Sequence, residues 1–169
     1  MKKIILLIGI LLTINSCSEK NETELTPLEQ LPEATQTGEN TFGCLINGEA
    51  FVVSNTSQQV AIYQGGVLQI GGAINDSNRD INIILNISNP INLNTPYDLT
   101  FSPDNLAIFV NNKVNCYYDY LNTLNGSLTI TSFDTINYIV SGGFEFSTNK
   151  NGCEDINITD GRFDLKYIP

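Results

Sequence analysis

The stretch Asp80-Ile81-Asn82-Ile83-Ile84-Leu85-Asn86-Ile87-Ser88 puts Ile81, Ile83, Leu85 and Ile87 on one parity and Asn82, Asn86 and Ser88 on the other. Successive side chains of a strand point to opposite faces of its sheet, so this alternation predicts a strand with one face buried and one face wet. Leu128 and Ile130 against Thr129 and Thr131 repeat the pattern. From Thr41 onward no window of ten or more residues carries the three-and-four apolar spacing of a helix. Turn signals at Asn47-Gly48, Gln64-Gly65-Gly66, Asn75-Asp76-Ser77-Asn78, Asn125-Gly126, Asp134-Thr135 and Asn151-Gly152 divide the chain. Strands are predicted near 42–46, 50–54, 59–63, 67–74, 80–87, 97–101, 107–110, 114–121, 126–133, 138–147 and 155–168. About ten short strands with regular turns make an all-β domain, an antiparallel β-sandwich with a β-barrel as the alternative.

The last strand holds a finer clue. Ile156 and Ile158 are apolar at even positions, whereas Phe163, Leu165 and Tyr167 are apolar at odd ones, opposite Arg162, Asp164 and Lys166. A strand keeps its apolar side on the core, so one extra residue must be absorbed at Asp160-Gly161, where a bulge is predicted. Gly142-Gly143, between Val140 and Phe144, marks a bend or a close backbone approach.

Composition removes several functions. Eight basic against 18 acidic side chains leave a formal charge of −10, which repels phosphate backbones and excludes nucleic acid as a partner. With no His, the Ser-His-Asp, Cys-His and His-metal mechanisms are gone as well. The 169 residues have room for one domain and one core.

The N-terminus reads as an address. Lys2-Lys3 is followed by the apolar run Ile4 to Leu12 and then Thr13-Ile14-Asn15-Ser16-Cys17. A run of about ten apolar residues behind a positive end is a secretory signal, since a spanning helix needs ~20. The end of the run resembles the bacterial lipobox, which makes residues 1–16 a signal peptide and Cys17 the lipidated first residue of the mature chain. Residues 17–40 then carry six Glu, one Lys and two Pro with almost no apolar pattern, and are expected to be a disordered acidic tether before a single β domain at 41–169.

Cys44, Cys116 and Cys153 remain in an oxidising compartment, an odd number that predicts one disulfide and one spare thiol. If the last four strands form one meander, Cys116 and Cys153 lie at opposite ends of it, so the expected bond joins Cys44 to Cys153 or to Cys116. Tyr117, Tyr118 and Tyr120 form an aromatic run that is a candidate ligand face, for a glycan if two or three tyrosines share one plane. Asn149 to Asp155 carries oxygen ligands but lacks the Glu that closes a calcium loop, so it is read as a turn and no metal or cofactor is expected.

Two segments bracket nearly the whole mature chain: Leu31-Pro32-Glu33-Ala34-Thr35-Gln36-Thr37-Gly38-Glu39-Asn40-Thr41-Phe42-Gly43-Cys44-Leu45-Ile46-Asn47-Gly48 and Ile158-Thr159-Asp160-Gly161-Arg162-Phe163-Asp164. Together they resemble an uncharacterised family of Bacteroidota lipoproteins. The resemblance implies a lipid-anchored, mostly β domain and supplies no catalytic residue; the acidic run after Cys17 resembles the surface-export signals of such lipoproteins. The expected protein is therefore not an enzyme but an outer-membrane lipoprotein, on the cell surface rather than the periplasmic face, whose domain binds an envelope protein or has a structural role. A carbohydrate-binding module and an envelope hydrolase are the alternatives. The first reading predicts an exposed apolar patch and the last a cleft with paired carboxylates.

Overall fold

A computed structural model describes residues 24–88, 90–100 and 102–169. Eleven strands run through them: β1 Thr41–Ile46, β2 Glu49–Val52, β3 Gln59–Gln64, β4 Val67–Asn75, β5 Asp80–Ser88, β6 Pro96–Asp98, β7 Leu106–Asn111, β8 Cys116–Tyr118, β9 Thr123–Asp134, β10 Ile139–Thr148 and β11 Ile156–Lys166. They form an antiparallel six-stranded sheet in the order β2-β1-β11-β10-β9-β6 and an antiparallel five-stranded sheet in the order β3-β4-β5-β7-β8. The sheets do not close into a barrel, and the described residues include no α-helix, so the sandwich expectation holds.

Local chemistry accounts for the hairpins. Asn47 and Gly48 both have positive φ, as do Gly65 and Gly66, and each pair makes the two-residue turn whose twist matches the flanking strands. Asn125-Gly126 behaves differently from the turn expected there. It lies inside β9, paired with Ser147 and Phe146 of β10, and position 126 needs a glycine because the Phe146 Cβ and the Leu99 Cβ are pressed where a side chain would stand. The predicted strand at 97–101 shortens to β6, with position 101 outside the described residues.

One apolar core lies between the sheets. Phe42, Phe144, Phe163, Leu128 and Ile130 come from the six-stranded sheet, and Leu68, Ile70, Ile83, Leu85, Ile87 and Phe109 from the other. Both seams of the sandwich are fastened. On one side the chain leaves β11 and crosses over, so that Ile168 exchanges backbone hydrogen bonds with Ala61 and Tyr63 of β3. There Phe133 and Tyr167 stack at 5.0 Å, with Tyr63 and Tyr138 edge-on to Tyr167.

The other seam corrects the cysteine expectation: the disulfide joins Cys116 to Cys153, with Cα atoms 6.0 Å apart, while Cys44 is free and buried. The meander assumption failed because β8 belongs to the five-stranded sheet and not beside β9. Cys116 therefore faces the β10–β11 turn across the edge of the sandwich. The Tyr118 hydroxyl donates to the Glu154 carbonyl at 2.5 Å and the Lys150 ammonium to the Tyr117 carbonyl at 2.6 Å, closing the same seam.

The bulge in β11 is where the parity change places it. Between the Phe144–Gly161 and Phe146–Ile158 pairs, Thr159 and Asp160 together oppose Glu145, and Asp160 takes a φ of 54°. Beyond it Phe163, Leu165 and Tyr167 are buried, as expected. Asp164 was expected on the wet face with Arg162 and Lys166, yet it is wholly buried.

Residues 31–39, expected as part of a disordered tether, are what covers it. Thr35 Oγ1 donates to Asp164 at 2.6 Å, Ser141 Oγ at 2.7 Å, and the backbone N–H groups of Thr37, Gly38 and Glu39 at 2.9–3.1 Å. Leu31 is buried, and Pro32 lies over Gly43 with its carbonyl accepting from Arg162. The segment has few apolar side chains to bury, so hydropathy cannot reveal its docking; its order comes from hydrogen bonds to one carboxylate.

Candidate functional site

The outward face of the five-stranded sheet departs from the wet face that alternation predicts. In β3, β4, β5 and β7 the residues on the parity opposite to core-facing Ala61, Ile70, Leu85 and Ala107 point away from the core, and most of them are half-buried. Cross-strand register aligns them in rows. Val60, Gly71, Ile84 and Ile108 form the central row; Ile62, Gln69, Asn86 and Leu106 lie on one side of it. Ala73, Asn82, Val110 and Tyr117 lie on the other.

These three rows contain aliphatic groups, neutral amides and one exposed tyrosine, and no charged side chain. Charges stand at the margins of the face: at one end Asp80 accepts from the Asn112 amide, Asp76 pairs with Arg79 at 3.1 Å and Lys113 donates to the Ser77 carbonyl, and on the β8 side the Lys150 ammonium lies over the Tyr117 ring at 5.9 Å. An apolar centre with a polar margin is the anatomy of a contact surface. Ile84, on the central strand and in the middle of its length, sits at the centre.

The outward face of the six-stranded sheet is chemically unlike it. The strap of residues 31–39 crosses it, and beside the strap lie two adjoining open hollows of about 330 and 320 Å³. Ser127, Thr129 and Thr131 of β9, Glu145 of β10 and Asp160 and Arg162 of β11 line them, with Thr35 and Gln36 of the strap as a wall. The floor is low because Gly143 offers no side chain; a Cβ there would stand over the Gly161 carbonyl, 3.1 Å away.

Several residues singled out in the sequence have other duties. The aromatic run does not form a platform: Tyr117 is exposed, Tyr118 is buried on the opposite side of β8 with its ring against Phe109, and Tyr120 is half-buried beyond the strand. Strand alternation splits neighbours in sequence onto opposite faces, which is why three tyrosines within four residues do not stack a common ligand. Burial, reinforced by the nearby charges of Glu154 and Asp155, raises the Tyr118 phenol above its ordinary range.

Burial likewise pushes the Cys44 thiol up to about 12, so it is a poor nucleophile where it stands. For Asp164, burial opposes ionisation, but the hydrogen bonds from Thr35, Ser141, Glu39 and Gly38 outweigh it and hold the carboxyl below its usual range. The lipidation position, Cys17, and the signal at 1–16 lie outside the described residues. Among the described residues no three His, Cys, Asp or Glu side chains are grouped to hold a metal.

Alternation of period two does not reveal the outward apolar rows, although the sequence carries a signal for them. Ile84 interrupts the polar parity between Asn82 and Asn86, and Leu106-Ala107-Ile108-Phe109-Val110 is apolar on both parities. Both are marks of a strand with two apolar faces.

Residues 39–165 match the model of the family described as Domain of unknown function (DUF6252), and the chain belongs to that family. No curated protein and no solved structure matches it.

Proposed function

We propose that this DUF6252 chain is a lipid-anchored, non-enzymatic envelope protein that works by contact, through the outward face of its five-stranded sheet. The observation that carries the reading is the charge-free apolar centre of that face, on a chain whose formal charge is −10. A surface that only had to stay solvated would use its charges there.

The groups best suited to chemistry are otherwise engaged, which supports a role without a catalytic step. Asp164 spends its lone pairs on the strap, and Cys44 is a buried thiol. In this reading Cys17 carries the acyl chains, and two or three of them make a stable anchor where one would be marginal. The acidic residues after Cys17 direct the protein to the outer face of the outer membrane. From Cys17 to the docked Leu31 the chain can span at most roughly 50 Å, so the domain stays close to the bilayer.

Fractionation of cells labelled with a fatty-acid probe tests the anchor. The wild-type chain should take up label and sediment with outer membranes, and Cys17→Ala should do neither. Protease treatment of intact cells should remove the domain from the surface. A processed Cys17→Ala protein that still sediments with membranes would refute the anchor, and a domain resistant to protease until lysis would place it on the periplasmic side. The contact face has its own test: Ile84→Cys, labelled with an impermeant maleimide in isolated envelopes, should be shielded compared with the same thiol in diluted, detergent-solubilised protein.

A further inference from the structure

The occupant of that face can be named from its chemistry. We infer that it is a second copy of this chain, docked back to back through the outward surface of the five-stranded sheet. The inference rests on the contact reading above and adds the identity of the partner.

Charge comes first. Two copies of a chain with a formal charge of −10 repel each other wherever their acidic surfaces approach. The rows through Val60, Ile84 and Ile108 offer a surface on which two copies can touch without opposing carboxylates. A partner recognised by opposite charge would be drawn instead to acid-bearing surfaces such as the one with Glu145 and Asp160.

Self-complementarity comes second. A two-fold axis brings the same patch to both sides of an interface, so whatever lies near the axis must pair with itself. Ile84 on the central strand does so as an aliphatic group. Its neighbours Asn82, Asn86 and Gln69 each carry both a donor and an acceptor, so an amide can bond its own copy, which a carboxylate or an ammonium cannot do. Gln69 and Asn86 already pair in this way across β4 and β5, at 3.3 Å.

Area comes third. Five strands about 4.8 Å apart and about six residues deep at ~3.3 Å each give a face of roughly 500 Å². Two such faces remove roughly 1,000 Å² from water, which is the lower edge for a specific interface. The dimer is therefore weak in solution and is reinforced when lipid anchors confine both copies to one surface.

Sedimentation of the purified full-length lipoprotein in detergent, over a wide concentration range, tests this. A monomer–dimer equilibrium is expected. Ile84→Lys should raise the dissociation constant roughly tenfold or more. Val110→Asp, at the rim of the same face, should weaken it in the same direction, so the result does not hang on one variant. Thr129→Lys, on the other sheet, should leave it unchanged. Ile84→Cys near the axis should form a covalent dimer on mild oxidation, and Thr129→Cys should not.

A strictly monomeric wild type, or a dimer indifferent to both Ile84→Lys and Val110→Asp, overturns the second-copy proposal. The maleimide comparison separates that failure from failure of the contact reading. If Ile84→Cys is shielded in envelopes while the purified protein stays monomeric, the face holds a different protein and only the second copy is refuted. If the thiol is equally open in both, the contact reading falls too.

Discussion

The Thr35 hydroxyl donates to the Asp164 carboxylate at 2.6 Å, across 129 residues of sequence. Thr35 stands in the opening segment of the domain and Asp164 near the end of its last strand, so this bond ties the two ends of the domain together. Asp164 also accepts Ser141 from β10, and the carboxylate thereby joins strap, β10 and β11.

Asp164→Asn should be costly although it keeps the shape. Five donors converge on the carboxylate, and an amide NH₂ in place of one oxygen faces some of them donor to donor. We expect a loss of about 2–4 kcal/mol in urea denaturation. Lys166→Ala, two residues on and exposed, should stay within about 0.5 kcal/mol of wild type. Equal stability of Asp164→Asn and wild type would show that the strap does not depend on the charge.

Acid should release the same contact. The folded carboxyl of Asp164 sits below its ordinary value, because its hydrogen bonds outweigh the cost of burial. A depressed folded value means that its stabilisation is complete above the unfolded pKa of about 3.9 and is lost as pH falls through the folded value. Stability measured from pH 6 downward should fall in that acid window, and less steeply in Asp164→Asn.

Removing the strap should matter as much as removing its anchor. A chain beginning at Thr41 lacks Leu31, Pro32 and every strap donor to Asp164, which uncovers the carboxylate and leaves it Ser141 alone of its five donors. A fall in Tm of about 10 °C or more is expected against the chain that keeps residue 31 onward. Coincident melts would mean that residues 31–40 are a solvated spacer after all.

The cysteines give opposite results. Replacing both Cys116 and Cys153 by Ser opens a loop with a sequence separation of 37 and should cost about 3–4 kcal/mol. Cys44 should resist a thiolate-directed reagent at pH 8 in the native protein and react once urea exposes it, since burial holds its thiol up at about 12. Rapid native labelling of Cys44 would contradict its burial.

The faces of β11 can be read by mutation. Phe163 is buried beside Phe144, with ring centroids 6.4 Å apart, so Phe163→Ala should cost about 3–5 kcal/mol. Arg162 is half-buried and its guanidinium makes only 3.3 Å hydrogen bonds to the Asp160 and Pro32 carbonyls, so Arg162→Ala should cost under about 1 kcal/mol. The reverse ranking would invert the strand after its bulge.

Much of this was decided within short windows of sequence. The alternation around Ile83 and Leu85, the Asn47-Gly48 and Gly65-Gly66 turns and the change of parity at Asp160-Gly161 each depend on fewer than about ten residues. A strand's two faces and a turn's backbone angles are local properties. They placed all eleven strands near where they stand and located the bulge. The tertiary structure alone decided which distant groups meet. Whether Asp164 faces water or a strap depends on what crosses over it, and whether Cys116 reaches Cys153 depends on which sheet takes β8. The same holds for Ile84, whose parity marked it as outward-facing; that its row continues through Val60 and Ile108 into a face with a charge-free centre follows only from the register of β3, β4, β5 and β7. Pairing between strands far apart in sequence is set by the packing of the whole core, and no local period encodes it.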